Sequence, residues 1–227
     1  MPVSTKLFLV APETTKRLRK CLESYRKVRR ESVNDQTVEL MTSVEDLEIS
    51  ETRIAGTLKF DRVIAVHHRN RVHMVPETVE SRFFFDIRSR VRPFLIVLPK
   101  DQDIAIAEMN PILSPSLEPC IVTASIRADE IRMFVESRAS SIKYCSWRDI
   151  NIPHLSKTAL WGADVGKATQ DFRRYNTHGQ MNYVMIELAD SGWVVAISEE
   201  ARTIFYSKVP EPDIIEFLEE IVEPLVR

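Results

Sequence analysis

Six cations, Lys16, Arg19, Lys20, Arg26, Lys27 and Arg30, recur at a spacing that gathers them into one arc of a helix, with Glu23 the only acid among them. Such an arc does one kind of chemistry, the neutralisation of a row of phosphates. A helix of about 20 residues is roughly 30 Å long, which matches the scale of phosphate spacing. Each phosphate neutralised releases counterions, and that release is the source of affinity. Arg62, Arg69, Arg71, Arg82, Arg88, Arg90 and Arg92 follow nearby, and the planar fork of arginine suits phosphate better than a lysine point charge. Two other uses of the basic face stay open. It can be a solvated face, or it can dock an acidic helix carrying Glu216, Glu219, Glu220 and Glu223.

A second cluster is Val66-His67-His68-Arg69-Asn70-Arg71-Val72-His73-Met74. If Asn70 and Arg71 form a two-residue turn, His68 and His73 face each other about 5 Å apart, close enough to share a metal. A turn one residue earlier sets His68 opposite Arg71 and separates the pair. The segment has no Asp, Glu or Cys to supply a third ligand, so no metal residue is assigned. The segment Trp161-Gly162-Ala163-Asp164-Val165-Gly166-Lys167-Ala168-Thr169 superficially resembles a phosphate loop. Its glycines stand too close together, and Ala168 occupies the place of the magnesium-binding hydroxyl. It reads as an ordinary loop. His154, Ser156, Lys157, Arg173, Arg174, Tyr175, Asn176 and His178 form a loose polar set in which nothing compels a nucleophile and a base to converge. Within it, Asp171 to Asn176 interleaves aromatics with arginine, a pattern of single-strand binding surfaces and also of ordinary polar loops.

These residues need elements to hold them. Residues 3–10 read as a strand, and Pro12 opens a helix running to about residue 31, with Leu18, Cys21, Leu22, Tyr25 and Val28 as its apolar stripe. Residues 52–60, 62–68, 71–75, 82–87 and 93–98 are β-branched and aromatic strands, with Asp61 and Asn70 at turns in place of glycine. Residues 101–109 suggest a closing helix. Pro111, Pro115 and Pro119 mark a connector. The opening plan then returns: a strand at 120–126, a helix at 129–138, strands at 141–147, 158–161, 182–188, 193–198 and 203–209, and a last helix opened by Asp213 and ended by Pro224. Phe83, Phe84 and Phe85 must place at least one ring on the opposite sheet face from the others.

The expected fold is therefore α+β, with mainly antiparallel sheets and helices packed on one face. It reads either as two pseudo-repeated β-α-β(n)-α halves or as one continuous domain. The expected organisation is a basic half at 1–110, a Pro-rich connector at 111–119 and an acidic half at 120–227. Residues 1–100 carry 19 Lys or Arg against 13 Asp or Glu, and residues 101–227 carry 12 against 20. Three distant cysteines, Cys21, Cys120 and Cys145, form no disulfide framework and fit a reducing cytoplasm. No apolar run reaches the roughly 18 residues of a membrane-spanning helix, so no membrane partner is expected. Five glycines in 227 residues weigh against a nucleotide enzyme, and no cofactor is assigned.

The leading expectation is a non-enzymatic protein binding nucleic acid or a ribonucleoprotein. Lys16, Arg19, Lys20, Arg26, Lys27 and Arg30 make the backbone-contacting set, with Arg69, Arg71 and His73 as a secondary set. The alternative is a scaffold subunit, binding an acidic protein partner or assembling as a homo-oligomer through complementary charged faces. The third is a metal-dependent hydrolase using His68 and His73.

Overall fold

The computed structural model describes residues 1–88, 93–98, 102–114, 119–167 and 169–226. Helices and an extensive antiparallel sheet make up the chain. Two compact units are formed, Phe8–Val122, and Thr123–Arg227 together with Met1–Leu7. Strand β1 (Val3–Val10) contributes residues to both.

In the unit Phe8–Val122, a 3-10 turn at Pro12–Thr14 leads into α1 (Thr15–Leu22). Then come β2 (Arg26–Val33), β3 (Gln36–Ile49), β4 (Arg53–His68), β5 (Arg71–Asp86), β6 (Phe94–Leu98), α2 (Gln102–Leu113) and the start of β7 (Ile121–Thr123). The strand order runs β2-β3-β4-β5-β6-β1, with β7 also beside β1. The long antiparallel register of β4 with β5 extends unbroken from Arg53–Asp86 to His68–Arg71.

Leu18 and Leu22 of α1 and Ala105, Met109 and Leu113 of α2 share a core with Leu58, Phe60, Phe83, Phe85, Leu95 and Val97 of the sheet. The Phe83 and Phe85 rings meet edge to face, with centroids 5.6 Å apart, the arrangement the ring quadrupole favours. Gly56 lets Phe83 in: a Cβ at Gly56 would stand 2.8 Å from Cζ of that ring. Phe84 points to the other side of the sheet, as strand alternation requires. It is nevertheless buried, with the Arg82 guanidinium 5.5 Å from its ring centre.

The other unit adds α3 (Ala128–Arg138), β8 (Ala139–Ile152), β9 (Leu155–Trp161), α4 (Thr169–His178), β10 (Gln180–Leu188), β11 (Val194–Ser198), β12 (Arg202–Phe205) and α5 (Glu211–Phe217), the last continuing into π and 3-10 turns. Its strands run β1-β12-β11-β10-β8-β9. Trp147 is 1% exposed and packs on Phe172 and Tyr175 of α4, and Phe205 packs on Phe217 of α5. Among the described residues no helix is long and apolar enough to cross a membrane.

Several sequence expectations are corrected. The basic helix does not reach residue 31: α1 ends at Leu22, and Arg26–Val33 is a strand. Ser24 adopts a left-handed φ of 56°, which breaks the helical path. Asn34 and Asp35, with φ of 48° and 63°, then form the tight turn joining β2 to β3. Asp61 is no turn but an interior residue of β4, and the two strands expected at 71–75 and 82–87 are one. The expected strand at 120–126 is reduced to Ile121–Thr123. The connector's first residues belong to α2, which carries Pro111 inside it. Pro115, Arg90, Arg92 and Ala168 lie outside the described residues.

Candidate nucleic-acid interface

The end of α1 at Leu22 distributes the six cations of the principal set over two elements. Lys16, Arg19 and Lys20 lie exposed on α1, where Arg19 is engaged with Glu23 at 2.8 Å. Arg26, Lys27 and Arg30 lie on β2. Alternation from Val44, a core residue, puts Lys27 and Arg29 on the helix side of β2 and Arg26 and Arg30 on the opposite side. Arg29 reaches Glu108 of α2 at 3.2 Å, whereas Arg30 pairs with Glu39 at 2.8 Å. These six residues therefore do not line one rod. Lys16, Lys20, Arg26 and Lys27 have no carboxylate within ion-pair distance among the described residues.

The secondary set lies on a continuous structure. Strand β3 leaves β4 after the Thr42–Phe60 pair, while β4 and β5 stay paired for eight further residues, from Asp61–Thr78 to His68–Arg71. At about 3.4 Å per residue this is a two-stranded ribbon roughly 27 Å long. Its base is tied down: Asp61 accepts from the Met41 N–H at 2.8 Å and from the Thr78 hydroxyl at 2.7 Å, and Arg62 pairs with Glu77 at 2.9 Å. The Asn34 amide donates to the Met74 carbonyl at 2.8 Å, bracing the ribbon partway out.

Beyond the base, residues 63–76 hold Arg69, Arg71, His67, His68 and His73 and no carboxylate. All five are exposed. Val66, Val72, Met74 and Val75 are exposed beside them. Register puts His68, Arg71, His73, Val66, Ile64 and Val75 on one side and His67, Val72, Ala65 and Met74 on the other. Arg69 and Asn70 are the two turn residues, with φ of 46° and 60°. Glycine or asparagine is the usual occupant of such a position, so an arginine there is held at a cost of order 1 kcal/mol.

This register also decides the histidine pair. His68 stands opposite Arg71, and His73 opposite Val66, so the two histidines share no cross-strand position. Among the described residues no group of three His, Cys, Asp or Glu side chains gathers to hold a metal.

The remaining motifs resolve into packing. Asp164 accepts from the Gly166 N–H at 3.2 Å and the Ile142 N–H at 3.3 Å, and it holds Lys167 at 3.0 Å. The loop's own carboxylate thus occupies the amide and the ammonium that a phosphate would need, and together they hold the Asp164 carboxyl below its usual range, the Lys167 contact contributing most. The aromatic-arginine segment is helix α4, and its Phe172 and Tyr175 are spent on Trp147 rather than offered for stacking. His154 sits in a turn with φ of 63°, and Ser156 and Lys157 lie on β9. A cleft of about 720 Å³ opens beside Thr123, Ser125 and the start of α3. Its arginines are neutralised within it, Arg127 and Arg132 by Asp129 and Arg148 by Glu199.

The sequence marks this ribbon only in part. Alternating Val, Ile and His flanking Arg-Asn mark a hairpin, but glycine, the usual mark of such a turn, is absent. No known protein family matches the chain, and no curated protein matches it.

Proposed function

We propose that the chain binds nucleic acid through the basic surface of its Phe8–Val122 unit, with the β4–β5 ribbon as the leading element. One observation carries the reading. The outer part of a two-stranded ribbon bears two arginines and three histidines, no carboxylate, and no ion-pair partner among the described residues. A β-ribbon is one of the two protein shapes that the major groove of a duplex admits. Arginine forks at its tip and side reach phosphate oxygens on either wall. Arg69, Arg71 and His73 contact the backbone first, and Lys16, Lys20, Arg26 and Lys27 provide further contacts. Arg19 and Arg30, already paired with carboxylates, contribute less. Contacts of this kind position a protein without reading sequence. Charge reversal at Arg69 and Arg71 therefore weakens binding to all sequences alike; undiminished affinity in that variant contradicts the proposal.

A second reading has its own support. Glu216 and Glu220 are exposed on the last helical segment, and the unpaired cations of α1 and β2 are complementary to them. In that case the chain is a scaffold subunit whose copies join through opposite charges. Size-exclusion chromatography at low and high salt separates the two readings: an assembly that forms without nucleic acid and dissolves in salt favours the scaffold.

A further inference from the structure

Among the described residues β2 ends the strand order of one unit and β9 that of the other, and the sequence treats these two edge strands differently. At the β2 edge five of the eight residues are charged, Arg26, Lys27, Arg29, Arg30 and Glu31. That composition is the usual guard against pairing with another chain. The β9 edge is more lightly guarded. Leu155–Trp161 contains one charge, Lys157, and neither proline nor glycine. The irregularity in its pairing with β8 falls between Arg148 and Ile152, so Lys157 to Trp161 stays in clean register. Trp161, at the end of this run, is 79% exposed.

Hydrogen-bond alternation shows what this edge presents. The Gly162 N–H donates to the Lys143 carbonyl at 3.0 Å, and Tyr144 pairs with Trp161. In an antiparallel ladder the residues that exchange bonds alternate. Gly162, Leu160 and Thr158 therefore turn their backbone groups to β8, while Trp161, Ala159 and Lys157 turn theirs outward. Three outward residues at alternate positions, centred on Ala159, form a self-complementary set.

We propose that β9 pairs antiparallel with β9 of a second copy of this chain, about a two-fold axis through Ala159. Ala159 then meets Ala159 of the second copy, and Lys157 lies opposite Trp161 at both ends. Each of these three pairs is a bonded pair, so the outward N–H and C=O groups of both strands are satisfied together. The same register brings an ammonium beside an indole twice, a favourable cation–π pairing, and sets no two like charges opposite each other. The association rests on backbone bonds and an aromatic contact, so it persists in salt, unlike the charge-joined scaffold. It is independent of the nucleic-acid reading.

The test is sedimentation velocity and light scattering on nuclease-treated protein. Ala159→Pro removes an N–H that β8 does not use, and Ala159→Lys sets two ammonium groups against each other on the axis. The wild type is expected at twice 26.2 kDa. Both variants are expected at the single-chain mass, with unchanged far-UV circular dichroism and a melting temperature that no longer depends on protein concentration. A wild type that stays at the single-chain mass at the highest attainable concentration overturns the proposal. So does a folded Ala159→Lys protein that still dimerises. If Ala159→Pro does not fold, Ala159→Lys alone decides.

Discussion

Replacing Arg69 and Arg71 together by alanine removes two cations from the ribbon, and the consequence can be worked out in advance. Neither side chain is engaged with a carboxylate among the described residues, so nothing inside the chain is left unpaired by their loss. Each phosphate contact contributes about 0.9 to the slope of log affinity against log salt on duplex DNA, so losing two lowers the slope by about 1.8. Across a fourfold rise in salt, the wild type then loses about tenfold more affinity than the variant. The assay is fluorescence anisotropy on a labelled duplex over a salt series. The control is Arg173→Ala with Arg174→Ala, which removes the same charge from the exposed side of α4 in the other unit. Equal slopes for the ribbon variant and the wild type refute the reasoning. Equal losses in the ribbon and control variants reduce the effect to net charge and refute the site.

Three further outcomes follow from the packing. Gly56→Ala forces a Cβ to within 2.8 Å of the Phe83 ring, so urea unfolding should show a loss of about 1–3 kcal/mol; a loss under about 0.5 kcal/mol, the size of an ordinary surface change, contradicts the tight approach. Asp164 titrates below its usual range because Lys167 and two backbone N–H groups hold its charged form. Its stabilising effect is complete above the unfolded carboxylate range and fades as pH falls through the lowered value. The melting temperatures of the wild type and Asp164→Asn should therefore converge in acid, and a gap independent of pH would contradict this. Burial pushes Cys145 up to about 12 and raises Cys120 as well, while Cys21 is only half buried. A thiol reagent at mildly alkaline pH should therefore label Cys21 first in the native protein, and rapid labelling of Cys145 would contradict the packing around it.

The sequence made the strongly periodic elements legible and obscured those in which charge imitates periodicity. Ile131, Phe134 and Val135 announce α3, and all three are buried. The stripe of α1 is correct through Leu18 and Leu22, then misleads. Tyr25 and Val28 continue the helical spacing by coincidence, yet Val28 lies on β2, 49% exposed. The Asn34-Asp35 turn joins Arg26–Val33 to β3 in an antiparallel pair, a partner that the helical spacing does not reveal. Asp61 misleads for the opposite reason. A carboxylate between two apolar runs looks like a turn, but here its oxygens bond Met41 and Thr78 and hold a strand together. Of the candidate site, Arg69, Arg71 and His73 could be placed on one hairpin from sequence. That the hairpin continues the sheet as a long ribbon depends on the β4–β5 register, which no local pattern specifies.

The most direct test of the central claim is the binding of purified, nuclease-treated protein to a labelled duplex and a labelled single strand at about 50 and about 200 mM salt. Binding is expected at the lower salt, falling steeply at the higher, and falling less steeply when Arg69 and Arg71 are replaced. No binding to either probe at the lower salt, or binding indifferent to the ribbon, would contradict it.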